Sequence, residues 1–285
     1  MVRKSKNRSI ATAMARWPAL SLAVFATWAS VATARDTPQP EAVAGHWGAV
    51  TGRVVFEGDL DDPAVKQREQ VHVYEPISIQ QNQRGEVPAI LATFPNPAWL
   101  VDRQTRGVKN VFVYLKKRPI AVHPSLDKAS AEPISLVLHD QLFSPRDSIL
   151  RIGQSVRMST DNEITNFSVK CVLNDGFNPL VSIKQPAEWT PKRAEVLPVT
   201  VWSALHSAAA ATILVVDHPY AVLTKSDGTF RLDNLPEGKH ELTVWHDEVG
   251  YVAKKIPVTI HDGKVEELPP VKYTIDLLNR RHSAF

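Results

Sequence analysis

Two short patterns in this chain carry residue types that do chemistry. Ser203-x-x-His206 offers a hydroxyl and an imidazole, the parts of a nucleophile and its base. Three-residue spacing in a loop is not expected to bring Oγ against an imidazole nitrogen, and no orienting acid or oxyanion motif accompanies the pair. His246-Asp247-Glu248 gathers three groups that can ligate a divalent cation. A solvated turn at a strand end is the favoured reading, because no second dense cluster supplies the remaining ligands. Asp61-Asp62 and the Asp161/Glu163 pair read first as solvated loops and second as calcium ligands. His218 precedes Pro219-Tyr220, and His240 and His261 fall in expected turns. No GxSxG, HExxH, Walker A or GxGxxG pattern is present.

Cys171 is the single cysteine, which excludes an internal disulfide, a CxxC redox centre and a multi-cysteine zinc site. It shares an expected strand face with Phe167, Val169 and Leu173 and reads as a small buried hydrophobe, with a reactive or intermolecular thiol as the alternative. Met158 alternates with Val156 and reads as core.

The frame around these residues has 285 positions, about two domains by length. Apolar residues make up 44% and charged residues 22%, an ordinary globular balance that excludes bulk disorder. Residues 1–34 carry Arg3, Lys4, Lys6, Arg8 and Arg16, no acid, then an apolar run ending in Ala32-Thr33-Ala34. Basic start, apolar middle and small-x-small end read as a secretory signal cleaved after Ala34, with an uncleaved N-terminal anchor as the alternative. No cysteine lies nearby, so a lipoprotein is excluded. Cleavage removes five positive charges and takes the formal net charge from +3 to −2. No nucleic-acid partner and no membrane span after cleavage are expected.

The remainder reads as strands and turns. In GAVTGRVVFEGD, Val50, Gly52, Val54 and Phe56 face one side and Thr51, Arg53 and Glu57 the other. GVKNVFVYL places Val111, Val113 and Leu115 on one face, and Pro119 stops it. ISLVLHD, SILRIG, SVRMST, FSVKCVL, LPVTVWS and ATILVVD are short and β-branched, and Asp227-Gly228, Glu237-Gly238 and Asp262-Gly263 punctuate later strands. No helix-period segment of useful length is expected outside the signal, and residues 59–98 read as a long excursion with little regular structure beyond a helical turn in DDPAVKQREQ.

GAVTGRVVFEGD, GVKNVFVYL, DGTFRLDNLPEGKHELTVWHDEVGY and IPVTIHDGKVEEL resemble, in that order, the carboxypeptidase-regulatory-like (transthyretin-like) sandwich. Phe230, Leu232, Leu242 and Val244 would then fill its core. Between these parts, ILRIGQSVRMSTDNEITNFSV and VLPVTVWSALHSAAAATILVVDHPY resemble a cupredoxin, of the methylamine-utilisation-like group of secreted, planctomycete-type proteins.

That second resemblance implies four copper-ligand positions. They fall at Thr165, Ser203, His206 and Ala209, where the family pattern has histidine, cysteine, histidine and methionine. Only the imidazole of His206 remains, and without a thiolate there is no blue-copper chemistry. Upstream, where the group often has C-x-F-x-P-H, this chain keeps Phe143 and Pro145 but has Gln141 and Arg146 at the reactive positions. Ser203 is thereby explained as a replaced cysteine rather than a nucleophile.

The expected fold is all-β: two β-sandwiches, a cupredoxin-like Greek-key domain (133–217) inserted in a transthyretin-like (carboxypeptidase-regulatory-like, carbohydrate-binding-like) sandwich (46–122 and 218–276). Residues 35–45 are expected to be a linker and 277–285 a tail. The expected function is that of a secreted or periplasmic, non-enzymatic binding or structural protein without a cofactor, with a glycan or a cell-envelope protein as partner. A copper electron carrier and a carbohydrate-binding module are the alternatives. Trp202 and Trp245 are the candidate ligand contacts, against core or junction packing.

Overall fold

The computed structural model describes residues 45–74, 83–206 and 208–282, so the expected signal and nearly all of the expected linker lie outside the described residues. The longest early strand, Trp47–Glu57, turns Val50, Val54 and Phe56 inward, and all three are buried. It pairs antiparallel with Thr229–Pro236 and parallel with Val265–Glu267 and Val271–Thr274, forming the first sheet. The second sheet has the order Ala221–Leu223, Phe112–Leu115, Gly238–His246, Gly250–Ile260, all antiparallel. Between the two lies a core built from Val54, Phe56, Phe230 and Leu232 on one side and Val113, Leu115, Leu242 and Val244 on the other.

A tight turn locks this sandwich. Gly228 sits at φ +80°, and a side chain there would meet the Val54 carbonyl oxygen at 2.2 Å. Only glycine combines that conformation with so close an approach.

Residues 134–216 make a second sandwich. Its third sheet has the order Ser168–Lys170, Val199–Trp202, Ala210–Val216, Asp147–Arg151, and its fourth Ala187–Trp189, Val156–Thr160, Ile134–His139, Leu142–Ser144. Leu136, Leu138, Val156 and Met158 pack here against Val199, Val201, Ala211, Ile213 and Val215. The all-β expectation therefore holds, as sheets packed face to face.

The second and third sheets also pack against each other. Phe112, Tyr114 and Trp245 meet Leu214 and Val216 in a third core. This explains why VFVYL and TILVV are apolar without a break: each strand is buried on both faces. Burying side chains of this size contributes roughly 1.5–3 kcal/mol each, so this interface is comparable to the net stability of a domain. His218, 3% exposed, sits where the chain crosses back between the sandwiches. Its Nδ1 accepts the Tyr220 N–H (3.2 Å) and its Nε2 donates to the Leu115 carbonyl (3.0 Å). Burial holds this imidazole below the ordinary histidine range.

Four expectations need correction. Residues 59–98 are not irregular throughout: the helical turn in DDPAVKQREQ forms as Pro63–Lys66, which Asp62 caps by accepting the Ala64 N–H, but Gln70–Tyr74 also pairs with Ile90–Pro95, which was not expected. Neither strand buries any residue fully, so they leave a weak sequence signal. Leu60, Val65 and Trp99 join the first core. The segment 277–285 is not simply a tail, because a helix spans Ile275–His282 and buries Leu278 in that core. This is also a helix outside the signal, too short for a decisive periodicity. His240 lies within the strand Gly238–His246 rather than in a turn, its Nε2 donating to the Pro236 carbonyl.

Candidate functional site

Three segments meet at one end of the second sandwich. The two-residue strand Thr165–Asn166 pairs with Leu180–Val181, which places Thr165 beside the loop that follows Val199–Trp202. That loop carries Ser203, His206 and Ala209 and is closed by the Ala209 N–H bonding to the His206 carbonyl at 2.9 Å. Thr165 is fully buried, and Ser203 and Ala209 are nearly so.

Thr165 Oγ1 lies 3.0 Å from Ser203 Oγ and 3.0 Å from His206 Nδ1, and Ser203 Oγ lies 3.3 Å from the same nitrogen. Asn166 organises the cluster. Its Oδ1 accepts the Ser203 hydroxyl (3.3 Å) and the Ala204 N–H (2.9 Å), and its Nδ2 donates to Asn178 Oδ1 (2.9 Å). Ser203 Oγ in turn accepts the Leu205 N–H at 3.2 Å. One assignment serves every group: the Ser203 hydroxyl proton is shared between Asn166 Oδ1 and Thr165 Oγ1, and Thr165 donates to an unprotonated His206 Nδ1. Burial lowers the His206 pKa, in keeping with a neutral ring.

Ser203 and His206 thus come together, against the expectation from their spacing. The loop doubles back because the Ser203 N–H and the Ala209 carbonyl (3.4 Å) tie its two ends. The pair still lacks the rest of a hydrolase: Ser203 is 3% exposed, and among the described residues no carboxylate contacts His206.

The donor set does not fit copper. It consists of two buried hydroxyls already committed to hydrogen bonds, one imidazole whose inward nitrogen accepts from Thr165, and the Ala209 methyl. Copper sites of this kind require imidazole and thiolate. Among the described residues there is no group of three or more His, Cys, Asp or Glu side chains placed to hold a metal.

Around the cluster stand exposed apolar residues. Ile164 precedes Thr165, Leu180 lies opposite Asn166, and Trp202 and Leu205 flank Ser203 and Ala204. Trp202 is 43% exposed, whereas Trp245 is 9% exposed and packs on Phe112 between the sandwiches. Trp245 is therefore a junction residue and not an open ligand contact. Cys171 is half-buried against the second core, and burial, with Glu195 and Asp175 adding to it, pushes its thiol up to about 11.

His246-Asp247-Glu248 is neither a metal cluster nor a solvated turn. His246 is buried with Nδ1 3.0 Å from the Tyr273 hydroxyl, Glu248 pairs with Arg68 at 2.9 Å, and Asp247 pairs with Arg146. Arg146 also holds Asp147 at 2.7 Å. This polar junction was invisible in the sequence, because Arg146 and Asp247 lie a hundred residues apart. Asn166 was equally hidden, its one signal being its place directly after Thr165.

No protein-family model and no curated protein matches the chain. Solved structures do show similarity. A reduced amicyanin mutant is 11% identical over 31% of this chain and 87% of its own, with a TM-score of 0.27. A purple cupredoxin from Nitrosopumilus maritimus is 14% identical over 29% of this chain and 99% of its own, with a TM-score of 0.25. A copper-containing nitrite reductase from Thermus scotoductus is 15% identical over 35% of this chain and 25% of its own, with a TM-score of 0.27.

Proposed function

We propose that this chain is an exported, non-enzymatic binding protein whose second sandwich is a cupredoxin-like domain without copper. The observation that carries the reading is the Thr165–Ser203–His206 cluster. The positions that the sequence resemblance assigns to copper ligands converge on one point, yet Ser203, Thr165 and His206 close on one another through hydroxyl hydrogen bonds. Such a cluster rigidifies a loop and offers no redox centre. The exposed rim of Ile164, Leu180, Trp202 and Leu205 supports a binding role at the same end. A cell-envelope protein is the partner chemistry that such a rim suits.

The test is metal content and optical absorption of the purified chain after incubation with Cu(II) and desalting. Copper well below one per chain, without the visible thiolate charge-transfer band, is the expected result. One tightly held copper per chain would overturn the reading and restore electron transfer.

A further inference from the structure

The second sheet splits open at one end. The strand Gly238–His246 outruns its neighbour Phe112–Leu115, which covers it only from Leu242 to Trp245. The last bond between them runs from the Lys116 N–H to the Glu241 carbonyl, 3.2 Å. Beyond it the chain departs through Lys117, Arg118 and Pro119, and a cleft of about 350 Å³ opens between residues 115–120 and 237–241.

The backbone facing this cleft is set by the ladder. Backbone groups of alternate residues point to opposite neighbours. Glu241 bonds towards Lys116, so Lys239, two residues away, directs its N–H and C=O to the same side, where no strand of the described residues lies opposite. Pro257 agrees: it stands across from Glu241 on the other flank and has no N–H to give.

The cleft is also cationic. Lys116, Lys117, Arg118, Lys239 and Lys255 line it, against two carboxylates, Glu237 and Glu241. Lys255 is 4.0 Å from Glu241, while among the described residues Lys116, Lys117 and Lys239 have no ion-pair partner. Ile120, 82% exposed, adds an apolar lip.

We propose that this cleft binds an acidic polypeptide segment in extended form, which adds a short strand beside Lys239. A free donor and acceptor on one residue suit a backbone, the lysines suit its carboxylates, and the apolar lip suits an alternate side chain. The site lies apart from the Thr165–Ser203–His206 cluster and stands or falls independently of it.

The experiment titrates the full chain into a fluorescein-labelled peptide of alternating Glu and Val, about eight residues long, and follows polarisation. Binding is expected to weaken at least about tenfold in the Lys117→Glu, Lys239→Glu double variant. Both side chains are exposed, so the variant keeps its fold, as circular dichroism will show. The same peptide N-methylated at its central amides is expected to bind more weakly to the unaltered chain, since strand addition needs those N–H groups. Equal binding by the double variant, or by the methylated peptide, would overturn the proposal. So would binding of an acidic polysaccharide by a chain that leaves the peptide free.

Discussion

Arg146, in the second sandwich, is ion-paired with Asp247 of the first, and its guanidinium also holds the carboxylate of its own neighbour, Asp147. The Arg146 and Asp147 side chains are only 7% and 3% exposed. Burial works to lower the Arg146 pKa, and the two carboxylates outweigh it, so the guanidinium is held above its ordinary value. One cation therefore serves two acids across the junction, and Asn110 adds a hydrogen bond to Asp147 at 3.1 Å.

Removing that cation is expected to be costly. Arg146→Met takes the guanidinium away from Asp147 and Asp247, and breaking a buried pair in this way costs about 3–5 kcal/mol. Urea unfolding of the variant should show a lower midpoint by that amount. A loss under about 1 kcal/mol, the scale of a surface substitution, would show that the junction does not depend on the pair.

Asp147 gives the junction a pH dependence with a definite sign. Burial pushes its carboxyl up to about 6, against the pull of Arg146 and with a further upward push from Asp247. The unfolded chain releases this proton near pH 4, at about the free aspartate value, while the folded chain keeps it until about 6. The native state thus loses relative stability as pH rises from about 4 to 6, by roughly 3 kcal/mol, and does not regain it above. Asp147→Asn abolishes this step. Unfolding free energies of parent and variant, measured across the window, should diverge as pH rises; parallel curves would contradict the assignment.

The convergence of Thr165, Ser203, His206 and Ala209 makes a reconstruction testable. The combined substitutions Thr165→His, Ser203→Cys and Ala209→Met should yield one copper per chain with intense visible absorption, because they supply imidazole, thiolate and thioether. Thr165 and Ala209 are buried, so the added bulk should cost about 1–3 kcal/mol before metal is added. Copper should then raise the unfolding temperature of the variant. A folded triple variant that ignores copper would show that these positions do not form a ligand set. Where the triple variant is too unstable, Ser203→Cys with Ala209→Met adds less volume and puts the same question.

How much was legible beforehand depends on the range of the interaction. Period-two alternation exposed the inward face of Trp47–Glu57, because side-chain direction in a strand follows from position alone, whereas Phe112–Leu115 is buried on both faces. The Asp227-Gly228 turn was equally readable, since positive φ selects glycine locally. The resemblance in ILRIGQSVRMSTDNEITNFSV and VLPVTVWSALHSAAAATILVVDHPY named Thr165, Ser203, His206 and Ala209, but not what they do to one another. That Ser203 Oγ lies within 3.3 Å of His206 Nδ1, with Asn166 holding the start of the loop at Ser203 and Ala204, is a product of packing. The hairpin Gln70–Tyr74 with Ile90–Pro95 escaped detection because it buries too little to imprint a pattern. The all-β character and the places of most of the longer strands and turns were readable along the chain, for these rest on local sterics and on the period of burial. Only the tertiary structure decided that Arg146 meets Asp247, that Trp245 is closed between sheets and that Lys239 faces an open cleft. Such pairings depend on how distant strands stack, and no spacing along the chain encodes them.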